Sequence, residues 1–211
     1  MRMDYTLIQK QQTQIKPDIR LLDVVEQSRY NRLISPQKQL EFLTGRTLLK
    51  TVLADYAGVL PQSVSLTITA SGKPYWSPLV NADMPFFNLS HADGRFVVAL
   101  SRYPVGIDIE LVRPMKLEYM RPFLSIGEYK SLLNVPESMR SVLFFRLFTA
   151  KEAFLKATDK RWALDDISFI LENQHWQLGT PQGTFQFYGS ESKDCFITVC
   201  LDRSADNQWR W

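Results

Sequence analysis

The chain has 211 residues, 45% of them hydrophobic, with 25 Lys and Arg against 22 Asp and Glu and a formal net charge of +3. That is enough apolar material for one large domain or two small ones, and so small and scattered a charge gives no nucleic-acid footprint while suiting an anionic ligand or acidic partner. No apolar run approaches the ~20 residues of a membrane span, and Met1-Arg2-Met3-Asp4-Tyr5 lacks the layout of a signal peptide, so the expected compartment is the cytoplasm. Cys195 and Cys200 share one late apolar segment, which argues for reduced, buried thiols rather than a disulfide framework.

Residues 1–35 read as an irregular or partly helical lead-in, with Val24, Val25, Tyr30, Leu33 and Ile34 as candidate core contacts. Ser35-Pro36 is a helix start, since Ser caps and Pro is tolerated in the first turn. From Gln39 to Tyr56 the set Leu40, Leu43, Thr47, Leu48, Thr51, Val52 and Tyr56 recurs at three and four residues, predicting an amphipathic helix that Gly58 ends. Arg46 and Lys50 stand one turn apart on it, and by themselves suggest only a solvated basic face. Val64 to Thr69 alternates as a strand. In the following turn Gly72 and Pro74 hold Lys73 between two conformationally special neighbours, which pre-orders a cation but also describes an ordinary solvated turn. Asp93-Gly94 between the β-prone runs 86–91 and 95–101 predicts a hairpin. His91, flanked by Ser90, then lies at its mouth, where functional side chains often project.

Val105-Gly106-Ile107-Asp108-Ile109-Glu110 follows Pro104. In an extended chain Ile107 and Ile109 face one way and Asp108 and Glu110 the other. Alone, the hexapeptide reads as an amphipathic strand with a solvated acidic side. As ligands, two hard carboxylates without Cys or His nearby suit Mg²⁺ or Mn²⁺ better than zinc. Lys116 to Met139 is helical in pieces, starting again at Ile126, and Ser141 to Lys156 is a second long helix with a wide apolar face. Glu152 and Lys156 stand one turn apart there, a spacing that usually marks a weak surface ion pair. The segments 168–171, 185–188 and 196–201 suggest a second antiparallel sheet. Residues 42–50 faintly echo 148–156, matching at Phe, Leu and Lys and setting Arg46 opposite Glu152, which hints at two similar α+β halves meeting face to face.

Three carboxylates (Asp108, Glu110, Glu152) ringed by Lys156, Arg46, Lys73 and His91 are the set that phosphoryl transfer needs, a metal on the phosphates and fixed cations around it. The motifs Gly72-Lys73-Pro74, Phe87-Asn88-Leu89-Ser90-His91, Gly106-Ile107-Asp108-Ile109-Glu110 and Lys151-Glu152-Ala153-Phe154-Leu155-Lys156, in this order and spacing, resemble the Sfp-type 4′-phosphopantetheinyl transferases from about Leu40 to Ile170. The resemblance implies an α+β fold of two pseudo-symmetric halves, here 1–104 and 105–211, each a small antiparallel sheet packed with a long helix, and a site at their interface. It implies Mg²⁺-dependent transfer of the phosphopantetheine arm of coenzyme A to a serine of an apo acyl or peptidyl carrier protein. Asp108, Glu110 and Glu152 match the metal-binding acids. Glu152 and Lys156 match the catalytic positions, with Lys156 beside the pyrophosphate. Lys73, Ser90, His91 and Arg46 match positions that hold the nucleotide. Phe148 stands where the family often has Trp. No nucleic acid or membrane partner is expected, and a monomer suffices if both halves complete one site. The alternatives are a metal-dependent phosphohydrolase acting on a nucleotide and a non-catalytic coenzyme A or carrier-protein binding module.

Overall fold

The computed structural model describes residues 4–76, 84–173, 175–179, 184–192 and 194–204; Met1-Arg2-Met3, part of the segment searched for a leader, lies outside the described residues. Strand β1 (Tyr5–Gln11) comes first. Helix α1 (Val24–Arg32) starts on a capping box of Asp23 and Glu26, and α2 (Pro36–Ala57) starts on Ser35, whose hydroxyl accepts from the Lys38 N–H, and ends on Gly58 at φ 67°. A hairpin of β2 (Leu66–Ile68) and β3 (Pro74–Trp76) precedes the hairpin of β4 (Phe86–Ala92) and β5 (Arg95–Ser101). The latter turns at Asp93-Gly94, both at positive φ, the turn whose twist suits flanking strands. Then come β6 (Val105–Leu111), α3 (Leu117–Met120), α4 (Ile126–Leu133), capped by a second box of Ser125 and Glu128, and α5 (Glu137–Thr158). Two more hairpins follow, β7 (Phe169–Glu172) with β8 (His175–Leu178) and β9 (Phe185–Ser192) with β10 (Cys195–Asp202). No described helix is long and apolar enough to cross a membrane.

The architecture is α+β and repeats itself. Each half runs strand, long helix, small hairpin, large hairpin, and in each the last strand returns to the first, giving the orders β1-β5-β4 and β6-β10-β9, antiparallel throughout. Both long helices have 22 residues and end on a left-handed residue, Gly58 or Asp159. Counted back from those caps, Lys50 is equivalent to Lys151. Both lysines are buried and ion-paired to the capping-box glutamate of the short helix before: Lys50 to Glu26 at 2.6 Å and Lys151 to Glu128 at 2.5 Å. Two similar halves are therefore present, but in a different register from the sequence echo. Arg46 is not the counterpart of Glu152, nor Lys50 of Lys156.

Apolar side chains of β5, β6 and β10, with Tyr103, form a core between the two sheets. Helix α2 covers the other face of the first sheet through Leu48, Leu49 and Leu53, and α5 covers that of the second through Leu147, Phe154 and their neighbours. Several sequence expectations change. Val24, Val25 and Ile34 are 82%, 67% and 98% exposed, because α1 meets α2 through the Glu26 ion pairs, while Leu21 and Leu22 supply the apolar contact just ahead of it. Leu40 and Tyr56 are exposed near the ends of α2, whose buried stretch runs from Thr44 to Ala54. The lead-in contains a strand, β1, every residue of which pairs with β5. Segment 168–171 does not join the second sheet; β7 pairs only with β8.

Candidate active site

Strand β6 is bounded on three sides. Its backbone pairs with β10 on one edge, its Ile107 and Ile109 side chains enter the core between the sheets, and Gly106 lies against α5. That approach requires glycine, since a Cβ there would stand 1.9 Å from the Ala153 carbonyl oxygen. It also brings the last turns of α5 over Asp108. The Asp108 carboxylate is buried rather than solvated, and its Oδ1 accepts from Lys156 Nζ at 2.5 Å and from Ser90 Oγ at 2.9 Å. Lys156 Nζ also donates to Ser90 Oγ at 3.1 Å, closing a triangle over the seam where β4 meets β6.

Asp108 Oδ2 is buried with no hydrogen-bond partner. An orphaned carboxylate oxygen of this kind is a strong acceptor awaiting a donor or a cation. Glu152 and Glu110 lie within electrostatic reach of Asp108. Burial raises the Glu152 pKa, with Lys156 opposing and Asp108 adding to the rise; burial also raises that of Glu110, followed by the charge of Asp108, against the pull of Arg113. The three acids thus lie in each other's fields. As placed, no three His, Cys, Asp or Glu side chains among the described residues stand close enough to hold a metal ion. Lys156 occupies Oδ1 and leaves Oδ2 open; Asp108, Glu110 and Glu152 are the residues that would hold an ion here. The hard-oxygen donor set and the orphaned Oδ2 fit Mg²⁺ or Mn²⁺.

Beside the triangle opens a cavity of about 320 Å³ between the β2–β3 turn, β4 and the end of α5. Lys73, Lys156, Lys160 and Arg161 line it, with Asp159 the one carboxylate, so it favours an anionic occupant. Lys73 donates to the carbonyls of Val105, at 3.0 Å, and Lys156, while Asp159 accepts from the Ser71 hydroxyl and Arg161 donates to the Ala70 carbonyl. The turn is thereby tied to the second half. His91 is exposed at the strand's end and stacks on Phe96 at 5.1 Å; the surrounding protein desolvates its ring and lowers its pKa, with Lys156 also lowering it and Glu41 and Asp108 opposing. Arg46 lies 3.2 Å from Glu26 and over the Phe42 ring. Phe148 packs edge-on against Phe123. The structure brings the sequence candidates Asp108, Lys156 and Ser90 together and sets Lys73 and Lys156 on the cavity, which Asn88, Lys160 and Arg161, not among those candidates, also line; Asn88 stands within a motif already singled out.

Burial lowers the Lys73 pKa to about 8 from 10.5. Below pH 8 the residue is charged in the folded and unfolded chain alike, and the desolvation cost is fully present; between 8 and 10.5 the folded chain sheds a proton that the unfolded chain keeps, and the cost fades. The neutral amine still has two N–H groups for its two carbonyls. Stability of the wild type relative to Lys73→Gln is expected to rise across that interval, as read from urea unfolding at its two ends.

Two family descriptions match the chain: the 4′-phosphopantetheinyl transferase superfamily over residues 104–208, and 4′-phosphopantetheinyl transferase, N-terminal, over residues 9–103. The chain is 35% identical to 4′-phosphopantetheinyl transferase HetI of Nostoc sp. over 150 residues, 69% of this chain and 63% of that one. It is 32% identical to a 4′-phosphopantetheinyl transferase of Bacillus subtilis over 171 residues, 80% of this chain and 70% of that one. It is 31% identical to the 4′-phosphopantetheinyl transferase Sfp of Bacillus subtilis (strain 168) over 163 residues, 71% of each. Against HetI and two further relatives it spans roughly three fifths of their length, 63%, 58% and 62%. With both halves matched and relatives of this identity covered over more than two thirds, the chain belongs to the Sfp-type 4′-phosphopantetheinyl transferases.

Proposed function

We propose that this protein transfers the 4′-phosphopantetheine group of coenzyme A to a serine hydroxyl of an apo acyl or peptidyl carrier protein, releasing adenosine 3′,5′-bisphosphate. The observation that carries this is the Lys156–Asp108–Ser90 triangle, with an unpaired carboxylate oxygen, at the edge of a cavity lined by four cations. Asp108, Glu110 and Glu152 would hold a divalent ion, Mg²⁺ or Mn²⁺, which when bound offsets charge on the pyrophosphate. Lys73, Ser90, His91 and Arg46 would anchor the nucleotide end, and that remote binding energy would aim the β-phosphorus for in-line attack. The carrier's serine oxygen forms the new bond to that phosphorus, and the bond to the bridging oxygen breaks, with its electron pair leaving on the nucleotide. The proton released by the serine would pass to Glu152 or to a water held by the ion. Lys156 neutralises charge on the phosphoryl oxygens.

The division at residues 104 and 105 makes this a site between halves of one chain, so a monomer in the cytoplasm suffices. Intact mass of a panel of apo carrier proteins after incubation with coenzyme A, with and without Mg²⁺, tests the proposal. A phosphopantetheine mass gain that needs the metal supports it. Coenzyme A cleaved without a carrier would point to a phosphohydrolase, and binding without product to a non-catalytic module. Asp108→Asn and Glu152→Gln are each expected to slow transfer by about 10²-fold, the scale of one lost preorganised electrostatic group, with unchanged urea midpoints for Glu152→Gln.

A further inference from the structure

Strands β4 and β6 are edges of separate sheets and share no ladder. Among the described residues, two side-chain hydrogen bonds join them: Ser90 Oγ to Asp108 Oδ1, and the backbone N–H of Ile107 to Asn88 Oδ1 at 2.9 Å. Asn88 is buried, as is Ile107. Its carbonyl stands where a neighbouring strand would otherwise supply an acceptor, and without it the Ile107 N–H would be a buried donor with no partner. Ile107 directly precedes Asp108. The α5 backbone fixes β6 from one side through Gly106, and β10 fixes one edge. At the remaining edge Lys73 holds the Val105 carbonyl at the start of the strand, and Asn88 holds the backbone N–H next to Asp108, beside the Ser90–Asp108–Lys156 triangle.

We propose that Asn88 is a positioning residue: by accepting from the Ile107 N–H it sets the height of β6 against β4 and so holds the Asp108 carboxylate on Ser90 and Lys156. The inference deepens the transferase proposal and rests on it for its kinetic arm, but its structural arm stands alone. Asn88→Leu removes the acceptor; Asn88→Asp keeps an oxygen at the same place and serves as the conservative rescue.

The first measurement is amide hydrogen exchange at Ile107 by NMR. Exchange is expected to speed up about tenfold or more in Asn88→Leu, the scale of one lost buried hydrogen bond, with Leu53 in the distant α2 core unchanged, and to return to the wild-type rate in Asn88→Asp. The second is transfer kinetics: kcat falls by about tenfold in Asn88→Leu while KM for coenzyme A changes far less, and Asn88→Asp recovers most of it. Unchanged Ile107 exchange in Asn88→Leu overturns the proposal, as does faster exchange with kcat intact. If the wild type transfers nothing to any carrier, the transferase reading fails while the Ile107 exchange still decides whether Asn88 sets this strand.

Discussion

Gly106→Ala is expected to cost about 3 kcal/mol of stability or more, the upper end of overpacking penalties, and to abolish transfer in whatever fraction still folds. The added Cβ would stand 1.9 Å from the Ala153 oxygen, 2.4 Å from Ala157 N and 2.9 Å from the Lys156 carbonyl carbon. All three are backbone atoms of α5, so no flexible side chain can yield. The helix itself would have to retreat by about 1 Å or more, against an interior packed as densely as a crystal. Lys156 rides on the same turn, and its 2.5 Å contact with Asp108 would open with it. Gly189→Ala, where nothing lies within 4 Å of the new Cβ, is the control and is expected to fold and react like the wild type. Urea midpoints and single-turnover transfer decide the matter. A Gly106→Ala protein with both at wild-type values would mean that α5 does not sit this close to β6.

Lys151→Met is expected to destabilise by about 3–5 kcal/mol, the scale of breaking a buried ion pair from one side. Lys151 and Glu128 are both 0% exposed, and the ammonium uses all three of its donors, on Glu128 and on the carbonyls of Phe123 and Leu164. Glu128 in turn accepts from the N–H groups of Ser125 and Phe169. Removing the lysine leaves a sealed carboxylate without its counter-charge. Adding Glu128→Gln is expected to recover part of the loss, so the double variant is more stable than the sum of the single ones predicts. In the first half, Lys50→Met should cost less, because Arg46 remains beside Glu26. A Lys151→Met protein within about 1 kcal/mol of wild type would show that the pair contributes little beyond a well-packed apolar substitute.

What could be read from the sequence followed from local rules. Ser35-Pro36, Asp93-Gly94 and the alternation of Ile107 with Asp108 each carry their structure within a few residues, and each is found as expected. What could not be read depended on distant partners. Val24 and Val25 look like core residues, but the contact of their helix with α2 goes through Glu26. Lys50 reads as a solvated cation on its helix, and only the fold shows that a capping glutamate from an earlier helix meets it, as another meets Lys151. Strand β1 is half polar, and its identity comes from pairing with β5 some ninety residues later. The motif around His91 contains Asn88, but that its side chain accepts from the Ile107 N–H depends on where β6 lies, which spacing alone does not give.

The duplicated architecture is not duplicated in its charges. Ile8 lies opposite Val98 as Asp108 lies opposite Thr198, and Lys10 lies opposite Phe96 as Glu110 lies opposite Phe196. At the places where the carboxyl-terminal copy carries its acids, the amino-terminal copy has a hydrocarbon packed against the α2 core and a cation. Twofold in outline, the polypeptide is single in its acids: among the described residues the paired carboxylates of β6 have no counterpart on β1.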